Sequence, residues 1–429
     1  MQYKRIGDCL LYSQYGISVE MNEGNKGYPI YRMNEIHNML CDIDVDKCAA
    51  IDKETFEIFR LYDKDVLFNR TNSYDFVGRT GIYYDNDGVD RTFASYLVKF
   101  VPNSNVILPE YLATYLNTQQ GVWDIKRHAR QSINQTNVNP EEVKEMEIPI
   151  ISMEMQKEIR DNVLLANKLR YLADCLYKGT NNNLSGVFKT ERIMTNRKNE
   201  NVVSLKNSFL CSGRIDAEYY MPQYDNLFRL LEQYETKHLG ELVTIQKSIE
   251  PGSDFYMTEG VPFVRVADLT KFGVTEPSIY LDKEIFKDVI RPKKDTILMS
   301  KDGSIGIAYK VEKDEDFITS GAILHLQVTD NSVLPDYLTL VINSKVVQMQ
   351  AERDAGGSII QHWKPSEINN VIIPILPMEK QIEISQEVQE SFRLRNESKH
   401  LLNVAKNAVE IAISESEETA IHYIDANKV

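Results

Sequence analysis

Hydrophobic and polar positions along the chain follow one plan twice. Short runs of β-branched and aromatic residues, such as Ile30-Tyr31, Val66-Leu67-Phe68 and Ile297-Leu298-Met299, are punctuated by Gly and Asp and predict strands and turns. A helical piece follows each Leu-Pro-Glu/Asp-Tyr block, with Pro109 and Pro335 at first-turn positions, where a missing N–H is harmless. A polar loop comes next, HARQSINQTN in the first half and ERDAGGSIIQHW in the second. Each half closes on a proline-bounded strand and a long helix. After Ser152, a candidate N-cap, Ile159, Val163, Ala166 and Ala173 fall on one seam at three- and four-residue spacing. Ile384, Val388, Leu402, Ala405, Val409 and Ala412 do likewise in the second half.

The two halves are copies at an offset of about 230 residues. KRIGD at Lys4 returns as KHLGE at Lys237, and GYPIYRMNEI (Gly27 to Ile36) as GVPFVRVADL (Gly260 to Leu269). Ile51 to Arg70 matches Leu281 to Lys301, GRTGIYY at Gly78 matches GSIGIAY at Gly303, and NVILPEYLATYLNT matches SVLPDYLTLVINS. EIPIISMEMQKEI then matches VIIPILPMEKQIEI. Six blocks in one order predict an α+β fold of two β-rich domains in tandem repeat, each followed by a long helix. The helices' narrow stripes, with Arg170 opposite Arg395 on the seam, predict that they pair as an antiparallel coiled coil. The alternative is that each packs separately on its own domain. The expected boundaries are 1–151 for domain one, 152–178 for its helix and 179–236 for a linker with a helical lead-in, RIDAEYYMPQYDNLFRLLEQY. Domain two is expected at 237–376, its helix at 377–418 and a tail at 419–429. About 26 residues make the first helix roughly 39 Å long, near one turn of B-DNA at about 34–36 Å.

Composition narrows the function. The 429 residues carry 42% hydrophobic and 26% charged side chains, in the range of globular domains, and no apolar run reaches membrane-spanning length. Five scattered cysteines do not form a disulfide framework, so the expected home is a reducing cytoplasm. A net charge of −14 argues against coating nucleic acid non-specifically but leaves local phosphate contacts open. GSIGIAYK lacks the spacing of a phosphate loop, and no run holds a base amino group as NPPY does. The GxxG patterns read as tight turns, the seven dispersed histidines hold no metal, and Glu141-Glu142 and Glu417-Glu418 read as solvated faces. No catalytic constellation emerges.

Recognition fits better. Two similar modules on a long spacer suit bipartite duplex DNA. Long polar side chains stand near turns at matched places: Arg32 and Asn34 with Arg265; Asn69, Arg70, Asn72 and Arg79 with Lys301, Ser304 and Lys310; Arg130, Gln131, Asn134 and Gln135 with Ser358, Gln361 and His362. Arg can clasp a guanine edge and Asn or Gln an adenine edge, while Lys more often meets phosphate. Divergence at these positions within an agreeing framework is expected if each module reads a different half-site.

The order of blocks, carried by KRIGD/KHLGE, LPEYL/LPDYL and IPIISMEMQKEI/IPILPMEKQIEI, resembles the specificity subunits of type I restriction-modification systems over nearly the whole chain. RIDAEYYMPQY is similar to a segment that precedes target-recognition domains in that family. The resemblance implies a non-catalytic subunit whose two target-recognition domains read a split DNA site and whose paired helices set the gap. It further implies two methyltransferase subunits that methylate adenine N6 with S-adenosylmethionine, and restriction-translocase subunits that use ATP and Mg; no cofactor is expected in this chain itself. The other reading of the residues is a structural adaptor whose tandem modules bind protein instead of DNA.

Overall fold

The structure, a computed structural model, describes residues 2–133, 135–191, 193, 200–275, 277–355 and 361–428. The chain divides into two compact units: Met1–Asp174 with Arg393–Val429, and Cys175–Phe392. Each therefore combines one β-rich repeat with segments of both long helices, Met153–Val187 and Met378–Ser414.

In unit 1, strands Leu10–Tyr15, Leu97–Pro102, Val66–Asn69 and Thr80–Ile82 lie side by side in antiparallel order. Unit 2 repeats this order with Val243–Lys247, Ile323–Val328, Ile297–Ser300 and Ala308–Lys310. A parallel pair accompanies each sheet, Tyr28–Tyr31 beside Thr92–Phe93 and Val261–Val264 beside Ile318–Thr319. The opening strand of each repeat returns to pair with the strand before the long helix, Gln2–Arg5 with Glu147–Ile150 and Thr236–His238 with Ile372–Pro374. The sequence repeat is thus a repeat of topology.

Three polar staples recur with it. The Tyr111 hydroxyl donates to the Pro149 carbonyl at 2.5 Å, and Tyr337 to Pro374 at 2.6 Å. Gln156 accepts the Leu108 N–H at 2.9 Å and donates to the Ile151 carbonyl at 3.1 Å; Gln381 accepts from Leu334 at 2.9 Å and donates to Leu376 at 2.8 Å. Leu108 and Leu334 sit at helix N-caps without a capping side chain of their own, so the long helix supplies an acceptor. Asn117 and Asn343 bind the Thr80 and Ala308 carbonyls at 2.9 and 2.7 Å.

These contacts correct one block of the sequence match. Gly78 corresponds to Gly306, not Gly303: Gly78 and Gly306 both donate to the last residue of the preceding strand at 2.8 Å, whereas Gly303 donates to Gln361. The turn between is 70–77 in unit 1 and 301–305 in unit 2, so unit 1 carries three more residues at this edge.

The long helices pair antiparallel in each unit. In unit 1, the Ser398 hydroxyl donates to the Ala166 carbonyl at 2.7 Å, and Arg395 bonds Asp174. Ile159, Val163 and Ala166 share a core with Leu402, Ala405, Val409 and Ala412. In unit 2, Thr180 donates to Glu387 at 2.7 Å, Val388 shares a core with Tyr177 and Leu184, and Ile384 is half-buried against it. Ser152 caps the first helix by accepting the Met155 N–H at 3.1 Å.

Three expectations need correction. The first helix continues to Val187 rather than ending at 178, and the tail expected at 419–429 is largely the helix Glu417–Ala426, with Ala420 and Ile424 in unit 1's core. Glu417 accepts the Ser152 N–H at 2.8 Å, so it is not merely a solvated residue. Arg170 and Arg395, expected opposite one another on the seam, lie near each other but find their partners elsewhere. Two guanidinium groups repel; Arg395 takes Asp174, while Arg170 leaves the helix pair for the backbone of residues 37–41.

A buried histidine makes unit 2 acid-sensitive. His325 is 3% exposed, its Nε2 lies 2.8 Å from the Thr319 hydroxyl, and burial pushes its pKa down from 6.5 to about 4. Between these values the unfolded chain binds a proton that the folded unit excludes. Stability is therefore full above about pH 6.5 and falls by about 3 kcal/mol as pH drops through about 4. Thermal unfolding from pH 7.5 to 4.5 should show this loss for unit 2, and His325→Gln should flatten it.

Candidate nucleic-acid interface

In unit 1 the turns singled out by sequence converge on one edge. The loop after Tyr28–Tyr31 carries Arg32, whose backbone N–H donates to Glu35 Oε2 at 2.7 Å while its Nε donates to Oε1 at 3.0 Å. Glu35 is buried and Asn34 exposed. Asn69 and Asn72 both donate their side-chain amides to the Met33 carbonyl, at 3.0 and 3.4 Å. Both are buried, Asn69 fully, so they hold the loop in place and do not face a duplex. Arg70 is half-buried, with its Nη1 3.4 Å from the Ser95 carbonyl and its guanidinium 5.3 Å from the Tyr15 ring. Arg79 is half-buried and stacks on Phe76 at 4.0 Å.

Strand Thr71–Asn72 pairs with Thr136–Val138, which pairs with Ala129–Gln131. This brings Arg130, Gln131 and Gln135, all exposed, to the same edge. Arg130 bonds Glu142, which is therefore an ion-pair partner rather than a plain solvated residue. Asn134 lies outside the described residues.

Sequence reasoning missed an aromatic component. Tyr74 and Phe76 stand 45% and 41% exposed in the longer turn. Lys126 donates to the Tyr74 and Val77 carbonyls and lies 4.8 Å from the Tyr74 ring. On the same helix, Gln119–Arg127, Arg127 lies 4.7 Å over the exposed ring of Trp123. The four-residue spacing of Trp123 and Arg127 on a helix was the available signal.

Unit 2 builds the same clip with different readers. The Arg265 N–H donates to Asp268 Oδ2 at 2.9 Å, and its Nε approaches the same oxygen at 3.4 Å, whereas Arg32 uses both oxygens of Glu35. The turn beginning at Lys301 is drawn against residues 361–363: Gly303 N–H donates to Gln361 at 2.9 Å and Trp363 N–H to Lys301 at 2.8 Å. Asp302 binds Lys301 and, at 2.8 Å, His362. Burial alone would raise the Asp302 carboxyl, but the hydrogen bonds from Lys301 and His362 outweigh it and hold it below its usual range. Lys301, Ser304, Gln361 and His362 therefore form one patch, and Ser358 lies outside the described residues.

Lys310 does not belong to this patch. It is buried, 3.0 Å from Asp336, 3.3 Å from Glu312 and 3.5 Å from Asp295, so its charge is neutralised internally rather than offered to phosphate. Burial alone would lower its pKa, but Asp336 and the other carboxylates raise it. Among the described residues no group of three potential metal ligands exists, and no helix is long and apolar enough to cross a membrane.

Each copy of the duplicated β-rich frame thus carries an arginine clipped to a nearby carboxylate. The family described as type I restriction modification DNA specificity domain matches residues 2–162 and 231–404, one stretch per repeat. The chain belongs to that family. It is a non-catalytic DNA-specificity subunit, and the adaptor reading is not favoured.

The chain is 23% identical over 423 residues, 95% of this chain and 91% of the relative, to a protein of Methanocaldococcus jannaschii named as the type I restriction enzyme MjaX specificity subunit. Solved structures similar to it include the type I restriction-modification S subunit from M. genitalium, at 12% identity, 99% and 94% coverage and TM-score 0.38. Another is the HsdS subunit from Thermoanaerobacter tengcongensis, at 14% identity, 97% coverage of both chains and TM-score 0.31.

Proposed function

We propose that each unit reads one half of a split duplex site, and that the chain acts in the cytoplasm as the sequence-reading part of a methylating complex. Two methyltransferase subunits would dock on it and transfer a methyl group from S-adenosylmethionine to adenine N6. Restriction-translocase subunits using ATP and Mg would join to cut unmodified DNA. The paired helices would set the gap between half-sites. The observation that carries this reading is the matched exposed edge: one frame, one clipped arginine in each copy, and different side chains around it. Unit 1 would read with Arg32, Asn34, Arg70, Arg79, Arg130, Gln131 and Gln135, flanked by Tyr74, Phe76 and Trp123. Unit 2 would read with Arg265, Lys301, Ser304, Gln361 and His362. Local donors of this kind suit DNA despite the acidic total, because phosphate contacts depend on patches.

The test is binding of the reconstituted complex to duplexes in which each half-site is scrambled in turn. Arg79→Ala or Arg130→Ala should weaken binding roughly tenfold through half-site 1, the scale of one lost base or phosphate contact, without changing preference at half-site 2. Replacing Tyr74 and Phe76 together by Ala should act on the same half. Equal losses with either half scrambled would contradict the assignment of one half-site to each unit.

A further inference from the structure

In each unit one hairpin leads from the clipped arginine to a long helix. In unit 1 it is Ile36–His37 with Leu40–Cys41, turning through Asn38 and Met39 at φ 48° and 62°. It begins at the residue after Glu35, the partner of Arg32. The Asp42 N–H closes it by donating to the Glu35 carbonyl at 2.9 Å, and the Tyr31 hydroxyl donates to the Asp42 carbonyl at 2.5 Å. Arg170 of the first long helix reaches this hairpin. Its guanidinium donates to the Cys41 carbonyl and, at 3.4 Å, to that of His37, and lies 3.8 Å from the Asp42 carboxylate. Its side chain is only 12% exposed, so these contacts are sheltered from water.

Unit 2 has the same path with different chemistry. Its hairpin, Leu269–Thr270 with Gly273–Val274, begins at the residue after Asp268, the partner of Arg265. The Thr275 N–H closes it on the Asp268 carbonyl at 2.8 Å. At its tip Phe272 packs edge-on against Tyr177 at 4.9 Å and lies 6.3 Å from Phe392, and these two rings belong to the two long helices. Where unit 1 ties its hairpin with a guanidinium, unit 2 uses aromatic contact.

Resting on the DNA reading proposed above, we infer that Arg170 and Phe272 are positioning residues that fix the reading arginines, Arg32 and Arg265, relative to the helices of their own units. A carbonyl-bound guanidinium and a ring held between rings each remove freedom from a two-residue-strand hairpin that could not hold its shape alone. Met39 and Leu40 also pack in unit 1's core, so loss of the Arg170 bonds loosens the hairpin without unfolding the unit.

The test uses the reconstituted complex and the DNA motif found by sequencing its methylated bases, with each half scrambled in turn. Arg170→Ala should lower discrimination at half-site 1 roughly tenfold, the scale of one base contact, and leave half-site 2 unchanged. Phe272→Ala should do the reverse. Arg170→Lys, which keeps one donor, should recover part of the loss, and Phe272→Tyr most of it. A merely structural defect would lower total binding with no preference between halves, and that result, or unaltered discrimination in both variants, overturns the inference. If the wild-type complex itself shows no half-site discrimination, the DNA reading fails first.

Discussion

Removing one helical turn, four residues, from matched places in both long helices is expected to move the permitted gap between half-sites by one to two base pairs. Four residues shorten a helix by about 6 Å, and B-DNA rises about 3.4 Å per base pair. Both helices must lose the turn, because Ser398 meets Ala166 and Arg395 meets Asp174 while residue numbers run in opposite directions. A cut in one alone would put seam residues such as Val163 and Ala405 out of step. A four-residue step keeps most apolar side chains on their original face. Methylation of a panel of duplexes with varied gaps is the measurement. Activity should fall by orders of magnitude on the original spacing and return on a shorter one, since both reading edges must engage together for tight binding.

The second large effect is on stability. Gln156→Leu should destabilise unit 1 by about 2–3 kcal/mol, because it strips partners from the half-buried Leu108 N–H and the buried Ile151 carbonyl. At roughly 2–4 °C per kcal/mol for a unit of this size, melting should fall by about 4–12 °C. Gln381→Leu should do the same to unit 2, where Leu334, Leu376 and the Ser332 carbonyl lose their partner. Calorimetry of each single variant and of the double checks this; changes in separate units should add. Two neutral substitutions would show that these glutamines are not the staples their geometry describes.

The repeat and the helix pairing were legible in sequence because both are written in periodic apolar positions: Ile159, Val163 and Ala166 on one helix, Leu402, Ala405 and Val409 on the other. The fate of single polar residues was not. Asn69 and Arg70 are neighbours in one polar run, yet Asn69 is fully buried beneath the Met33 carbonyl while Arg70 remains half-buried. Composition does not distinguish a residue that braces a loop from one that faces outward. Lys310 was unreadable for a related reason, because its carboxylate partner Asp336 lies on a helix distant in sequence. Glycine matching misled where turns differ in length, since Gly303 resembles Gly78 by letter but Gly306 shares its hydrogen bond. Arg170 was placed on the seam by periodicity, yet its destination depends on a hairpin 129 residues away.

The most direct test of the central claim is single-molecule sequencing of N6-methyladenine in DNA modified by the chain with a methyltransferase partner. Two separated half-motifs at a fixed gap are predicted, and exchanging the edge of unit 1 should change one half while the other stays the same. A single contiguous motif, or an exchange that rewrites both halves at once, would contradict it.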